Sequence, residues 1–322
     1  MNGLSKETVS RLAVDENSAG QRIDNFLARL MKGVPKSHVY RILRSGEVRL
    51  NGKRVGPDQR LATGDMVRVP PVRTAPDAPA AHPGAARKLS IVHEDDDLIV
   101  VDKPSGLAVH GGSGIAHGLI ESLRAARPDA RFLELVHRLD RDTSGLLLIA
   151  KRRPALTELH RMLREGLIDK RYRVLVRGRW RDEKRTVRLA LHKFSTREGE
   201  RRVRVDDETG RESVTTFRRI QVWRELDPAL ALLEAELETG RTHQIRVHLS
   251  HLGFPLAGDD KYGDFAWNRT LARQGLKRLF LHAARLGFVH PLSGMPMEFT
   301  APMPRELSRF LETLDTPVAR DG

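Results

Sequence analysis

Residues 71–87 read PVRTAPDAPAAHPGAAR. No apolar residue recurs there at a helical or strand period, and the prolines favour a semi-extended backbone. Such a stretch cannot run through a core, so it is expected to be a linker. It divides the chain into a short module before it and a long one after it, each needing its own apolar interior.

The short module is expected at 20–70. Ile23, Phe26, Leu27 and Leu30 fall at i, i+3, i+4 and i+7, one face of a helix. A second helix follows Pro35, with Val39, Ile42 and Leu43 inward and Gly46 as its stop. The other face of that helix carries Lys36, His38, Arg41 and Arg44. In EVRLNGKRV, Val48 and Leu50 alternate with charge, and Asn51-Gly52 is a hairpin turn signal. Arg49 and Lys53 flank that turn, and Met66-Val67-Arg68-Val69 reads as a closing strand. Residues 1–70 hold 13 Lys and Arg against 7 Asp and Glu. A small α/β module with a basic helix face and a basic hairpin suits a phosphate backbone.

The long module, 88–315, alternates strand-like runs with fewer helices. LSIVHEDDDLIVVDKP is a hairpin pattern, and GLLLIAK, KRYRVLVRG and ALLEAELETG are strand patterns. ALTELHRMLREG is helical, with Leu156, Leu159 and Leu163 inward, and RTHQIRVHLSHLG is helical with Ile245, Leu249 and Leu252 on one face. The expected class is α+β, around a large, mostly antiparallel sheet. Residues 177–219 are strongly basic and spaced as a hairpin excursion. RNA contact and a solvated ribbon both fit that pattern.

Composition narrows the function classes. Across 322 residues, 56 Lys and Arg face 42 Asp and Glu, for a net charge of +14. That excess favours a polyanionic partner. With no cysteine, disulfides, thiolate zinc sites and cysteine nucleophiles are excluded. No apolar run reaches the ~18 residues of a membrane helix, and the N-terminus lacks a signal-peptide core, so a cytoplasmic protein is expected. The phosphate loop GxxxxGK[ST] and GxGxxG are both missing, so no nucleotide cofactor is expected. HGGSG at 110–114 fails the hydrolase pattern because Ile115 follows it. His243, His248 and His251 share one helix with no carboxylate in it, and no metal is expected there.

What remains is HRLDRDTSGLLLIAK, 137–151, a charged loop leading into an apolar strand. Thr143, Ser144 and Gly145 can turn the chain and hydrogen-bond its carboxylates. A carboxylate on a stiff loop is a candidate nucleophile or base. Equally, Asp140 and Asp142 can simply pair with Arg138 and Arg141. Charge pattern alone leaves both roles open for both aspartates.

The same stretch resembles the signature of the RluA-type pseudouridine synthases. DKPSGLAVHGGSG (102–114), KRYRVLVRG (170–178), TGRTHQIRVHL (239–249) and RLFLHAARLGFVHP (278–291) agree in the family's order. The resemblance covers nearly all of 90–304. The first module resembles the small RNA-binding domain first known from ribosomal small-subunit protein four. The resemblance implies the pseudouridine synthase fold and isomerisation of uridine in RNA, with no cofactor and no metal. It implies Asp140 as the catalytic carboxylate and Arg246 as its partner. It implies Tyr172 as the ring that stacks on the target base, its hydroxyl a candidate proton acceptor for C5. Arg138 matches the residue that fills the space left by the flipped nucleotide, and Asp142 is left a structural role. VHGGSG and FLELVHRLDRDTSG fit best with members acting on large-subunit ribosomal RNA, which is the partner implied. A monomer is expected, with no membrane association. A non-catalytic RNA-binding factor would have no need of Asp140, Tyr172 and Arg246 together. A metal-dependent nuclease would need an acidic cluster.

Overall fold

The computed structural model describes residues 4–5, 7–16, 18–31, 33–72, 89–111, 118–196 and 200–315. Most of the linker at 71–87 lies outside them, as do 112–114 of HGGSG and 197–199 of the basic excursion. The chain forms two compact units. One holds Met1–Ala86 with Arg124–Leu133 and Lys151–Pro154, and the other holds Arg87–Leu123, Glu134–Ala150 and Ala155–Gly322.

The first unit begins with β1 (Ser10–Ala13), α1 (Ile23–Leu30) and α2 (Lys36–Arg44). It continues with β2 (Arg49–Leu50), β3 (Lys53–Arg54) and β4 (Met66–Val69). The strands form a sheet in the order β1-β4-β2-β3. The inward residues of both helices are those the spacing assigns: Ile23, Phe26 and Leu27 on α1, and Val39, Ile42 and Leu43 on α2. They close one core with Val48, Leu61, Val67 and Val69. Asn51 and Gly52 have φ of 50° and 79°. Two successive left-handed residues make the turn whose twist matches a β-hairpin, so the Asn-Gly pair sets the β2–β3 register.

The second unit is built on an eleven-stranded sheet. Its first strands are β5 (Ser90–Glu94), β6 (Leu98–Lys103), β7 (Glu134–Leu135) and β8 (Ser144–Ala150), with α3 (Leu119–Ala125) between β6 and β7. Then come α4 (Arg153–Arg164), β9 (Asp169–Arg177), β10 (Lys184–Ser195), β11 (Arg201–Val205), β12 (Arg211–Trp223) and β13 (Leu230–Leu237). The chain ends with α5 (Gln244–His251), α6 (Phe265–Arg273), β14 (Leu281–Val289), β15 (Pro296–Thr300) and α7 (Arg305–Asp315). The order is β11-β10-β12-β13-β9-β14-β8-β6-β5, with β15 on β14 and β7 on β8. Every residue of β8 is buried, which is why it reads as a continuous apolar run rather than an alternation.

The sheet has a seam. Among the described residues β8 and β14 are the one parallel pair, joined at Ser144↔His282 and Gly145↔Ala283. Gly145 makes this possible. A Cβ there would lie 2.2 Å from the Ala283 carbonyl oxygen, and its φ of +109° is one that L side chains rarely adopt. One helix departs from expectation. On α4, Leu156 and Leu159 are buried as expected, but Met162 takes the next buried place. Leu163, one residue further round the helix, is half-buried and lines the cleft described below.

Candidate active site

The loop 137–143 is held from three sides. His137 Nε2 accepts the Leu148 amide at 3.2 Å, tying the loop to β8. Burial pushes the His137 imidazole down to about 3, so it stays a neutral acceptor. Lys103, fully buried at the end of β6, donates to the carbonyls of Pro104 (2.9 Å), Leu107 (2.8 Å) and Arg141 (3.0 Å). All three ammonium hydrogens are thus used as braces, and burial brings this lysine down to about 7. Finally, the Thr143 amide donates to the Asp140 carbonyl at 3.2 Å, closing the turn.

Thr143 and Ser144 do not bond the loop's carboxylates, contrary to expectation. The Ser144 hydroxyl faces His282 Nδ1 at 3.0 Å and accepts from Arg278 at 2.8 Å. Thr143 Oγ1 is buried with no partner among the described residues. Ser144 opens β8, and its side chain points across the seam to β14, while Thr143, one residue earlier, lines the cleft described next. Asp142 pairs with its neighbour Arg141 at 3.1 Å.

Asp140 faces a cleft with a volume of ≈ 820 Å³. Its side chain is 24% exposed, and Arg246 donates to Oδ2 at 3.2 Å. Arg246 is 4% exposed. Its Nε and Nη2 make a fork to Asp259 at 2.8 and 2.7 Å, Nη2 also reaches Asp260 at 3.3 Å, and its charge lies 5.2 Å from the Tyr262 ring centre. Burial alone would weaken the guanidinium charge. Hydrogen bonds and charge from Asp259, then Asp140, outweigh it and raise the pKa. Asp259, itself fully buried, also accepts the amides of Lys261 (2.8 Å) and Tyr262 (3.0 Å). Removing one partner of such a buried pair costs about 3–5 kcal/mol. Asp259 therefore fixes the fork and leaves Nη1 for Asp140.

His243 sits beside them at the start of α5, with φ 54° and ψ 19°. A left-handed non-glycine residue of this kind costs about 1–3 kcal/mol and persists only where neighbours over-determine it. Here Gln244 does so, accepting from Thr239 and the Arg241 amide and donating to Val214 and Thr215. The Tyr262 oxygen accepts the Val203 amide at 2.9 Å, so its own proton is free for His243 Nδ1 at 2.8 Å. That bonding leaves Nε2 as the imidazole N–H, 3.8 Å from Asp140 Oδ1. Burial lowers the His243 pKa.

Tyr172 lies on β9 with its side chain buried and lining the cleft, on the same strand face as Lys170. Burial, then the charge of Asp140, raises its phenol, so the hydroxyl stays protonated and is a poor proton acceptor. Arg138 also lines the cleft, exposed and without a carboxylate partner among the described residues. All four residues singled out for the catalytic module thus border one cleft. Sequence reasoning missed Lys103, His243, Asp259, Lys170 and Tyr262. Lys103 and His243 lie inside quoted motifs, DKP and THQIR. Asp259 and Tyr262 come from GDDKYGD, which reads as a polar loop. His243, His248 and His251 do not gather, since His248 bonds Ser213 at 2.8 Å. Asp95, Asp97 and His290 do gather. His290 Nδ1 accepts the Ser293 amide at 3.0 Å, which makes Nε2 the donor to Asp95 at 3.3 Å rather than a metal ligand.

In the first unit Lys36, Arg41, Arg44 and Lys53 are exposed, while His38 and Arg49 are half-buried. Arg41 contacts His38 at 2.9 Å, and Arg49 reaches the Gly52 carbonyl at 3.4 Å.

Residues 97–251 match the family model for RNA pseudouridylate synthase, and residues 21–67 match the S4 domain. The chain belongs to the RNA pseudouridylate synthases, in their RluA branch. It is 52% identical over 314 residues to ribosomal large subunit pseudouridine synthase C of Salmonella typhi, covering 95% of this chain and 97% of that one. The protein of the same name from Haemophilus influenzae is 49% identical over 316 residues, covering 97% of each. Among solved structures, human RNA pseudouridylate synthase domain containing 1 aligns with a TM-score of 0.56 at 26% identity, covering 73% of this chain and 98% of that one. No helix among the described residues is long and apolar enough to cross a membrane.

Proposed function

We propose that this chain isomerises uridines of large-subunit ribosomal RNA to pseudouridine, with Asp140 as the catalytic carboxylate. The N1–C1′ bond breaks, the uracil turns, C5 bonds to C1′, the C5 proton leaves, and N1 takes up a proton. No atom is gained or lost from the RNA, so the residues must only orient groups and move a proton. The observation that carries this reading is the Asp140–Arg246 pair at 3.2 Å, with Arg246 clamped by a second, fully buried carboxylate. A fixed cation beside a cleft-facing carboxylate is preorganised for charge at the sugar.

Tyr172 supplies a flat surface for the flipped uracil. Arg138 occupies the vacated stack, where a planar guanidinium can contact bases and phosphate together. On the first module, 20–70, Lys36, His38, Arg41, Arg44, Arg49 and Lys53 hold the RNA backbone. Residues 71–87 link it to the catalytic module, 88–315. The protein works in the cytoplasm as a monomer, without metal or cofactor.

Asp140→Asn is isosteric and tests the assignment. Pseudouridine formation on a ribosomal RNA transcript is expected to fall by at least ~10³-fold, with RNA affinity retained. Asp142→Asn is expected to keep measurable turnover. Near-normal activity in Asp140→Asn would remove the basis of the proposal.

A further inference from the structure

The basic excursion 177–219 has two faces, and they treat charge differently. On the outer face, Arg188 of β10 is bonded to Glu212 of β12. Arg202 bonds Glu200 at 2.8 Å, and Arg204 bonds Asp206 at 2.9 Å while lying 5.6 Å from the Phe194 ring centre. The register Phe194↔Arg202 and His192↔Arg204 puts these residues on one side of the ribbon. Each of these three arginines has a carboxylate partner.

The inner face begins with Leu191 and Val203, which pack on Val247 of α5 and on Tyr262. Further along, it becomes cationic. Lys193 is two residues past Leu191, Arg201 is two before Val203, and Arg211 stands opposite Leu191. None of the three has a carboxylate partner among the described residues, and all are exposed. Lys193 reaches the rim of the cleft, which Arg241 and Arg138 also line. The cleft wall as a whole has six Lys and Arg side chains against two carboxylates, Asp140 and Glu238. Partial burial, then the charges of Arg138, Arg211, Arg241 and Arg201, lower the Lys193 pKa.

Like charges set side by side repel, and a neighbouring carboxylate relieves that repulsion. For Arg188, Arg202 and Arg204 this happens, and for Lys193, Arg201 and Arg211 it does not. A ribbon serving only as a solvated surface gives no reason for that asymmetry. We propose that Lys193, Arg201, Arg211 and Arg241 form a track for the phosphodiester backbone of the substrate RNA beside the target nucleotide. The apolar contact of Leu191 and Val203 with α5 fixes this track relative to the helix that carries Arg246. The assignment rests on the RNA substrate proposed above, and it gives the excursion a substrate-holding role that composition could not decide.

The test compares two double variants on the full-length protein: Lys193→Ala with Arg211→Ala on the inner face, and Arg188→Ala with Arg204→Ala on the outer. Filter binding of a large-subunit ribosomal RNA transcript and steady-state pseudouridine formation are measured from about 50 to 300 mM KCl. For the inner variant, Kd and KM are expected to rise on the order of tenfold, with the slope of log affinity against log salt shallower by roughly 1.4–1.8. Its kcat should fall less than its KM rises, with an unchanged melting temperature. The outer variant should match wild type. An unchanged salt slope for the inner variant, or an equal loss for the outer one, would overturn the track. A wild type that forms no pseudouridine would overturn the function, while filter binding would still judge the track.

Discussion

The cleft and the outer face of α2 both carry arginine, in opposite surroundings. Arg246 is buried and shared among three carboxylates. Arg41 and Arg44 are exposed on a short helix, and their hydrogen bonds go to a histidine ring and a backbone carbonyl. A buried guanidinium with fixed partners supplies geometry, since its position cannot relax when charge develops nearby. An exposed one supplies affinity, because it can follow a flexible polyanion and release counterions. In the proposed function, position in the fold, rather than residue type, separates chemistry from binding.

The largest effect should come from spoiling the buried arginine. Arg246→Lys keeps the charge but loses the fork, so one ammonium must choose between Asp259 and Asp140. We expect kcat to fall by about 10²–10³-fold, with RNA Kd within about threefold of wild type. If kcat held and Kd rose instead, the two regions would not differ as described. A smaller effect is expected on α2. Replacing Lys36, Arg41 and Arg44 together with alanine should raise KM about tenfold at ~150 mM salt and leave kcat nearly intact. A comparable loss of kcat in single-turnover assays would contradict a purely binding role.

The smallest effect concerns stability. His248 is fully buried, and burial pushes it down to about 4. Between about pH 6.5 and 4 the unfolded chain takes up a proton there that the folded chain refuses. Stability from this group is therefore complete above pH 6.5 and declines as pH falls, by at most about 1.4 kcal/mol per pH unit. Calorimetry should show a melting temperature about 2–4 °C lower per unit below pH 6.5 from this residue. If His248→Gln melted with the same pH dependence as wild type, the contribution would be absent.

How much of this could be read in advance varies by residue. The Asn51-Gly52 turn and the inward faces of α1 and α2 were legible because their rules are local. So was β8, whose apolar run has no alternation. Asp140 stood out as a place, yet nothing in HRLDRD separated it from Asp142. Only a partner 106 residues away does so. Asp259 was hidden for the same reason, since a carboxylate beside Asp260 looks solvated until Arg246 is brought to it. Ser144 was misread because its bonding partners, His282 and Arg278, come from across the seam. On α4, Met162 and Leu163 are indistinguishable by period, and only the cleft decides which one turns from the core.

The parallel seam has a consequence for how the protein becomes active. It joins β8 and β14 at two residue pairs and divides the sheet into a small portion, β5, β6, β7 and β8, and a large one. Asp140 enters with the small portion, while Arg246 belongs to the helix covering the large one. Neither portion alone brings the proposed catalytic carboxylate to its arginine, and the pair closes a loop of more than a hundred residues, which is slow to form. The three tryptophans, Trp180, Trp223 and Trp267, all lie with the large portion. During refolding their fluorescence should recover before activity does, and simultaneous recovery would count against this order. Chain that has not finished assembling would then be unable to modify RNA, so competence to react is itself a record of complete folding.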